Sequence, residues 1–173
     1  MTDIASSSAE SIAPNKNRIR LAVSLFFFCQ GLAFSSWASR IPTIKDNLQL
    51  SEAQLGTILL MMPIAQLITM PVSGRLVTTF GSAKLMRIVA ILYALILCSI
   101  GFANNAYQLG AILFVFGIVG NMCNIAVNTQ GIAVEKIYEK SIMSSFHGAW
   151  SIAGFTGALI GLLTMNIGVD TLP

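Results

Sequence analysis

The sequence predicts an all-α, polytopic transmembrane protein with five spans. Three observations carry that prediction. Hydrophobic residues make up 55% of the 173-residue chain and charged residues only 10%, whereas a soluble domain carries about 25% charged residues. Mean hydropathy is +0.76. The charges gather in short clusters, and the uncharged runs between them are long enough to cross a hydrocarbon core of ~30 Å. Nucleic acid is not an expected partner, because the basic residues never cluster with aromatics on one face.

Residues 1–17 are polar and serine-rich, with Asp3 and Glu10, and read as a disordered cytoplasmic tail. The transmembrane domain is expected over residues 18–169. Lys16, Arg18 and Arg20 precede an uncharged run at 21–39, the first span. Its length and the spans that follow it argue against a cleaved signal peptide. A polar connection over 40–52 carries Pro42, Lys45 and Asp46, and Ser51 with Gln54 three residues later has the spacing of a capping box. That box opens a second span at 53–74, which contains Pro63 and Pro71; membrane helices tolerate such prolines.

Residues 75–87 form the next loop. The third span, 88–102, is nearly devoid of polar side chains and is expected to face lipid over much of its circumference. Residues 103–106, Ala-Asn-Asn-Ala, interrupt a run too long for one helix and separate the third span from the fourth, at 107–134. A charged loop at 135–140 leads to the fifth span at 144–167, and residues 170–173 form a short periplasmic end. Cys29, Cys98 and Cys123 fall inside spans without metal-ligand or CxxC spacing, and read as small apolar packing residues.

Lys16, Arg18, Arg20, Arg75, Lys84, Arg87, Lys136 and Lys140 fall on one side of the membrane in this arrangement, and only Arg40 and Lys45 on the other. The positive-inside rule then places the N-terminus in the cytoplasm.

Within the fourth span Gly117, Asn121, Asn124, Asn128 and Glu135 share an arc of roughly 60°. Carboxamides in hydrocarbon need partners or a water-filled cavity. At 1.5 Å per residue, Gln30, Gln66 and Asn124 each lie ~15 Å from the basic ends of their spans, at the midplane. Asn128 and His147 share a lower level, ~10 Å in. Two readings stand for these groups: hydrogen-bonded packing between helices, or the wall of a midplane cavity of the kind secondary transporters use. Convergence in depth favours the cavity, whose carboxamides suit a neutral polyhydroxylated or amide-bearing ligand. His147 reads either as a neutral hydrogen-bonding residue or as a ligand contact and protonation site beside Asn128. Trp37 is either an interfacial anchor or a gate residue. No Asp or Glu lies within a span, Glu135 standing at the end of the fourth. The fifth span carries Gly148, Ser151, Gly154, Gly157, Ala158 and Gly161, a small-residue face that permits close helix approach.

The segment from Gly74 to Lys84 resembles the cytoplasmic gating-loop motif of the major facilitator superfamily, G-x-L-x-D-x-x-G-R-K. Gly74, Leu76 and Gly81 match in position and Lys84 supplies a basic residue, while Thr78 stands in the aspartate position and Ser82 and Ala83 in the basic pair. Ala126-Val127-Asn128 and the run from Ser145 to Ser151, with His147 and Trp150, are similar to a sugar-permease-like bacterial branch that includes fucose-permease-like and rhizopine-type transporters. Where fucose permeases carry a functional glutamate this chain has Asn124, and their first-helix aspartate falls near Ala38. The arginine and proline signatures of drug–proton antiporters are also missing.

The resemblance implies twelve helices in two six-helix halves, each half a pair of inverted three-helix repeats. The chain would then be the N-terminal half truncated after its fifth helix, with the missing C-terminal half as its partner. The expected function is transport of a small polar solute, such as a sugar or sugar derivative, by alternating access across a bacterial inner membrane. Gln30, Gln66, Asn121, Asn124, Asn128, His147 and Trp150 are the expected solute contacts. Export of amphipathic compounds, or a non-transporting sensor or assembly role, are the alternatives. No nucleophile–base pair or ligand cluster points to an enzyme, a metal or a cofactor.

Overall fold

The computed structural model describes residues 15–166, which form six helices. Most of the expected tail and all of the expected periplasmic end lie outside the described residues. Helix α1, Lys16–Ala38, starts at Asn15, whose side chain accepts the Asn17 N–H at 3.0 Å. A short helix α2, Ile41–Asn47, with Pro42 in its first turn, occupies the connection expected to be irregular. The capping box at the head of α3, Glu52–Phe80, is present in both directions: Ser51 Oγ accepts the Gln54 N–H at 3.2 Å and Gln54 Oε1 accepts the Ser51 N–H at 2.9 Å.

Helix α4, Ser82–Ile100, follows α3 after Gly81 alone. The expected loop at 75–87 is thus helical except at that residue, whose φ of +81° favours glycine. Helix α5, Ala106–Tyr138, begins at Asn105, which accepts the Gln108 N–H at 2.9 Å, so the Asn-Asn break works as an N-cap. Helix α6 runs Met143–Asn166. At 33 residues α5 is ~50 Å long and overshoots a ~30 Å hydrocarbon core. Hydropathy marks the hydrocarbon-soluble part of a helix and misses such extensions.

Among the described residues, five helical segments are long and apolar enough to cross a membrane. They pack as two groups, α1 with α6, and α3 and α4 with α5, and contact between the groups is sparser. A matching close approach lies inside each group. A Cβ on Gly31 would stand 2.5 Å from the Trp150 carbonyl oxygen and 3.2 Å from Ala153 Cβ; one on Gly117 would stand 2.5 Å from the Met62 carbonyl oxygen and 3.0 Å from Ala65 Cβ. Exchanging the first span with the fourth and the fifth with the second maps one contact onto the other, as an inverted repeat requires. Gly157 and Gly161 of the small-residue face meet Ser35 of α1 and Ser39 at its C-cap, whereas Gly148 and Gly154 face open space.

Phe27, Leu109, Leu113, Phe116, Val127 and Phe146 form the buried centre. Leu67, Ile68, Ile91, Leu95, Ile152 and Phe155 are exposed on α3, α4 and α6. Of the cysteines only Cys123 is a packing residue; Cys29 and Cys98 are exposed.

Candidate functional site

A cavity of about 260 Å³ lies where the two helix groups face each other. Helix α1 contributes Phe27, Gln30 and Phe34 and α6 contributes His147 and Trp150. Opposite them stand Met62 and Gln66 of α3, Tyr93 of α4, and Phe116, Asn124 and Asn128 of α5. The three carboxamides expected at the midplane therefore share one wall-to-wall space with the lower pair, Asn128 and His147. No charged side chain lines it among the described residues.

Aromatic contacts hold the walls. His147 meets Phe27 edge-on at 5.3 Å between centroids, and Phe27 stacks on Phe146 at 5.5 Å. Tyr93 stacks on Phe116 at 4.4 Å, and Phe34 and Trp150 lie 6.3 Å apart. Within α5 the Asn128 Nδ2 donates to the Asn124 backbone carbonyl at 2.9 Å and also to Asn124 Oδ1. That pairing fixes two neighbouring amides on the wall. By contrast, no described residue offers a hydrogen bond to the side chains of Gln30, Gln66 or His147. Buried carboxamides normally find protein partners; the half-buried Gln30 and Gln66 side chains and the exposed His147 ring are instead available to a guest or to water.

The polar groups divide between two arrangements: Gln30, Gln66, Asn124, Asn128 and His147 line the cavity, and others bond between helices. Asn121 is absent from the cavity wall. Its Nδ2 donates at 3.0 Å to the hydroxyl of fully buried Ser73 on α3, an interhelical bond at the packed interface. Gln130 likewise donates to Ser82 Oγ of α4 at 2.7 Å. Helical periodicity put Asn121 on the asparagine arc, but α3 covers that edge of α5.

The motif residues Gly74, Leu76, Gly81 and Lys84 do not line the cavity. Gly74 and Leu76 lie in the last turns of α3, Gly81 is the break, and Lys84 is exposed in the first turn of α4. Thr78, in the aspartate position, donates back to the Arg75 carbonyl at 2.8 Å. At the same basic end, Lys16 Nζ and Arg20 Cζ sit over the Tyr138 ring, 5.4 and 5.5 Å from its centroid. The Tyr138 hydroxyl donates to Asn17 Oδ1 at 2.7 Å, and Arg20 Nη2 donates to Ser145 Oγ at 3.3 Å. These contacts tie α1 to α5 and α6 below the cavity.

Sequence reasoning missed Phe27, Phe34, Met62, Tyr93 and Phe116 as wall residues. A usable signal existed for some of them. Phe27 and Phe34 flank Gln30 at spacings of three and four, and Met62 precedes Gln66 by four, so each shares a face with a carboxamide.

Residues 23–171 match the family model described as Major Facilitator Superfamily. The chain belongs to the Major Facilitator Superfamily. It is 32% identical over 141 residues to the uncharacterized transporter y4wD of Sinorhizobium fredii, a match covering 82% of this chain and 37% of that protein. An uncharacterized MFS-type transporter of Yersinia pestis is 31% identical over 139 residues, covering 80% of this chain and 36% of its own. The membrane protein MosC of Rhizobium meliloti is 30% identical over 154 residues, with 89% and 37% covered. The chain thus spans little more than a third of the length of these curated relatives. No solved structure gives a significant match. Superfamily membership and five membrane-compatible helices make this a multi-pass membrane protein.

Proposed function

We propose that this chain forms the N-terminal part of an alternating-access transporter and carries part of its site for a small, uncharged polar solute. The reading rests above all on one observation. The side chains of Gln30, Gln66 and His147 have no hydrogen-bonding partner among the described residues, and converge with the Asn124–Asn128 pair on a cavity of about 260 Å³ without charged lining. Carboxamides both donate and accept, as a hydroxyl- or amide-bearing solute requires, and aromatic faces beside them can cover the apolar side of a ring. A sugar or sugar derivative combines those features, in line with the sugar-permease-like resemblance of residues 126–128 and 145–151.

In this reading residues 18–169 are the membrane domain. The basic end faces the cytoplasm of a bacterial inner membrane, by the bias of Lys and Arg toward that end. A C-terminal half would cover the exposed apolar faces of α3 and α6. No carboxylate lines the cavity among the described residues, so proton movement through an acid of this segment forms no part of the proposal.

A second reading, export of amphipathic compounds, draws on Phe27, Phe34, Tyr93, Phe116 and Trp150, which make the walls more aromatic than the sequence alone indicated. Uptake and efflux assays on the full-length gene product separate the two. Asn124→Ala and His147→Ala are expected to depress movement of a neutral polyhydroxylated solute at normal membrane level. If both variants carry every tested solute as the parent does, the site assignment is wrong; if only amphipathic compounds move, the second reading replaces the first.

A further inference from the structure

Glu135 closes the polar arc of α5, yet it does not line the cavity. Its Oε1 accepts the backbone N–H of Ile142 at 2.7 Å, the N–H of Met143 at 2.8 Å and the Ser141 hydroxyl at 3.2 Å. The first N–H groups of a helix have no partner within that helix. At the head of α6 they are taken by the helix before it. Gly131, one turn earlier on the same face of α5, completes the seat: a Cβ there would lie 3.0 Å from Met143 Sδ and Cε and 3.4 Å from the Phe146 ring.

Two α5 residues thus hold the first turn of α6 from below and from the side. His147 stands one turn beyond Met143, and Asn128 one turn before Gly131. The spacing of these two cavity residues is therefore set by the seat beneath them, and by the Phe27 contact on the far side of His147.

We infer that Glu135 is a positioning residue for the cavity, fixing His147 opposite the Asn124–Asn128 pair through the first turn of α6. The inference rests on the solute-site reading, but its geometry can be tested without a solute. The role needs an oxygen acceptor at the end of a three-carbon side chain and no change of protonation. Glutamine at 135 keeps that oxygen, whereas alanine removes it.

The experiment uses the full-length protein in membranes, with Cys29, Cys98 and Cys123 replaced. A His147→Cys reporter is modified by a water-soluble thiol reagent in the presence of Glu135, Glu135→Gln or Glu135→Ala. The expected result is an unchanged modification rate for Gln and a several-fold altered rate for Ala. In parallel, with His147 restored, uptake KM should stay within about twofold for Gln and rise about tenfold or more for Ala, the scale on which a misplaced site group acts. A rate altered as much by Gln as by Ala would assign Glu135 a role through its charge and overturn the inference, as would a rate unaffected by Ala. If Ala does not reach the membrane, the Gln reporter decides alone: a parental rate upholds the inference and an altered one overturns it. Failure of uptake in the parent touches the solute reading and leaves the labelling comparison intact.

Discussion

Gly31 of α1 lies against the backbone of Trp150 of α6, so closely that a methyl group on the glycine would stand 2.5 Å from the tryptophan carbonyl oxygen. Backbone cannot yield as a flexible side chain does, so the contact requires glycine. Gly117 meets Met62 in the same way on the other side of the cavity. Gly31→Ala and Gly117→Ala are each expected to cost about 1–3 kcal/mol, the usual penalty of overpacking. Thermal unfolding of the purified protein in detergent measures this. Gly154→Ala, which meets open space, should be neutral. Because Trp150 and Met62 both line the cavity, the first two substitutions should also weaken solute binding.

Asn121 and Ser73 couple α5 to α3 away from the cavity. Asn121→Ala is expected to destabilise by about 0.6–2 kcal/mol, the range for interhelical hydrogen bonds in membranes. Combined with Ser73→Ala the cost should be less than additive, as for two ends of one bond. Solute affinity should follow the opposite pattern, falling with Asn124→Ala and holding with Asn121→Ala. Equal losses of affinity from both would place Asn121 in the site.

The Asn121 result shows where sequence reading stops. Composition and charge grouping were enough to locate five spans, and rise per residue brought Gln30, Gln66 and Asn124 to one depth. Depth and arc do not say which neighbour covers which edge, so Asn121 and Asn124 were indistinguishable until α3 was placed. The aromatic wall was hidden for a related reason. Phe27 and Phe116 are as apolar as the exposed side chains around them, and hydropathy cannot separate a cavity wall from an outer face. The expected loop at 75–87 failed on different grounds: α3 continues to Phe80 beyond its apolar core, and only the φ of Gly81 breaks it.

Tyr138 is gripped at the basic end by Lys16, Arg20 and Asn17. Tyr138→Phe removes the 2.7 Å hydrogen bond and keeps the ring. Tyr138→Leu also removes the cation–π contacts, each worth about 0.5–1 kcal/mol at exposed sites. Stability should therefore fall in the order parent, Phe, Leu, and the Leu variant should allow faster thiol modification of an Asn17→Cys reporter. Identical stability of Phe and Leu would show that the cations contribute nothing there.

If the cavity between α1, α6 and α3, α5 is a solute site, it is wet. The most direct measurement places a single cysteine at Asn124 in the full-length protein, with the native cysteines replaced, and follows its reaction with a water-soluble thiol reagent in permeabilised membranes. Asn104→Cys, in the exposed turn before α5, serves as the accessible control. Modification of the Asn124→Cys protein that slows when a transported solute saturates the site is the predicted result. Persistent protection of that cysteine while the control reacts, with and without solute, would mean that the carboxamides are packed dry and would contradict the account.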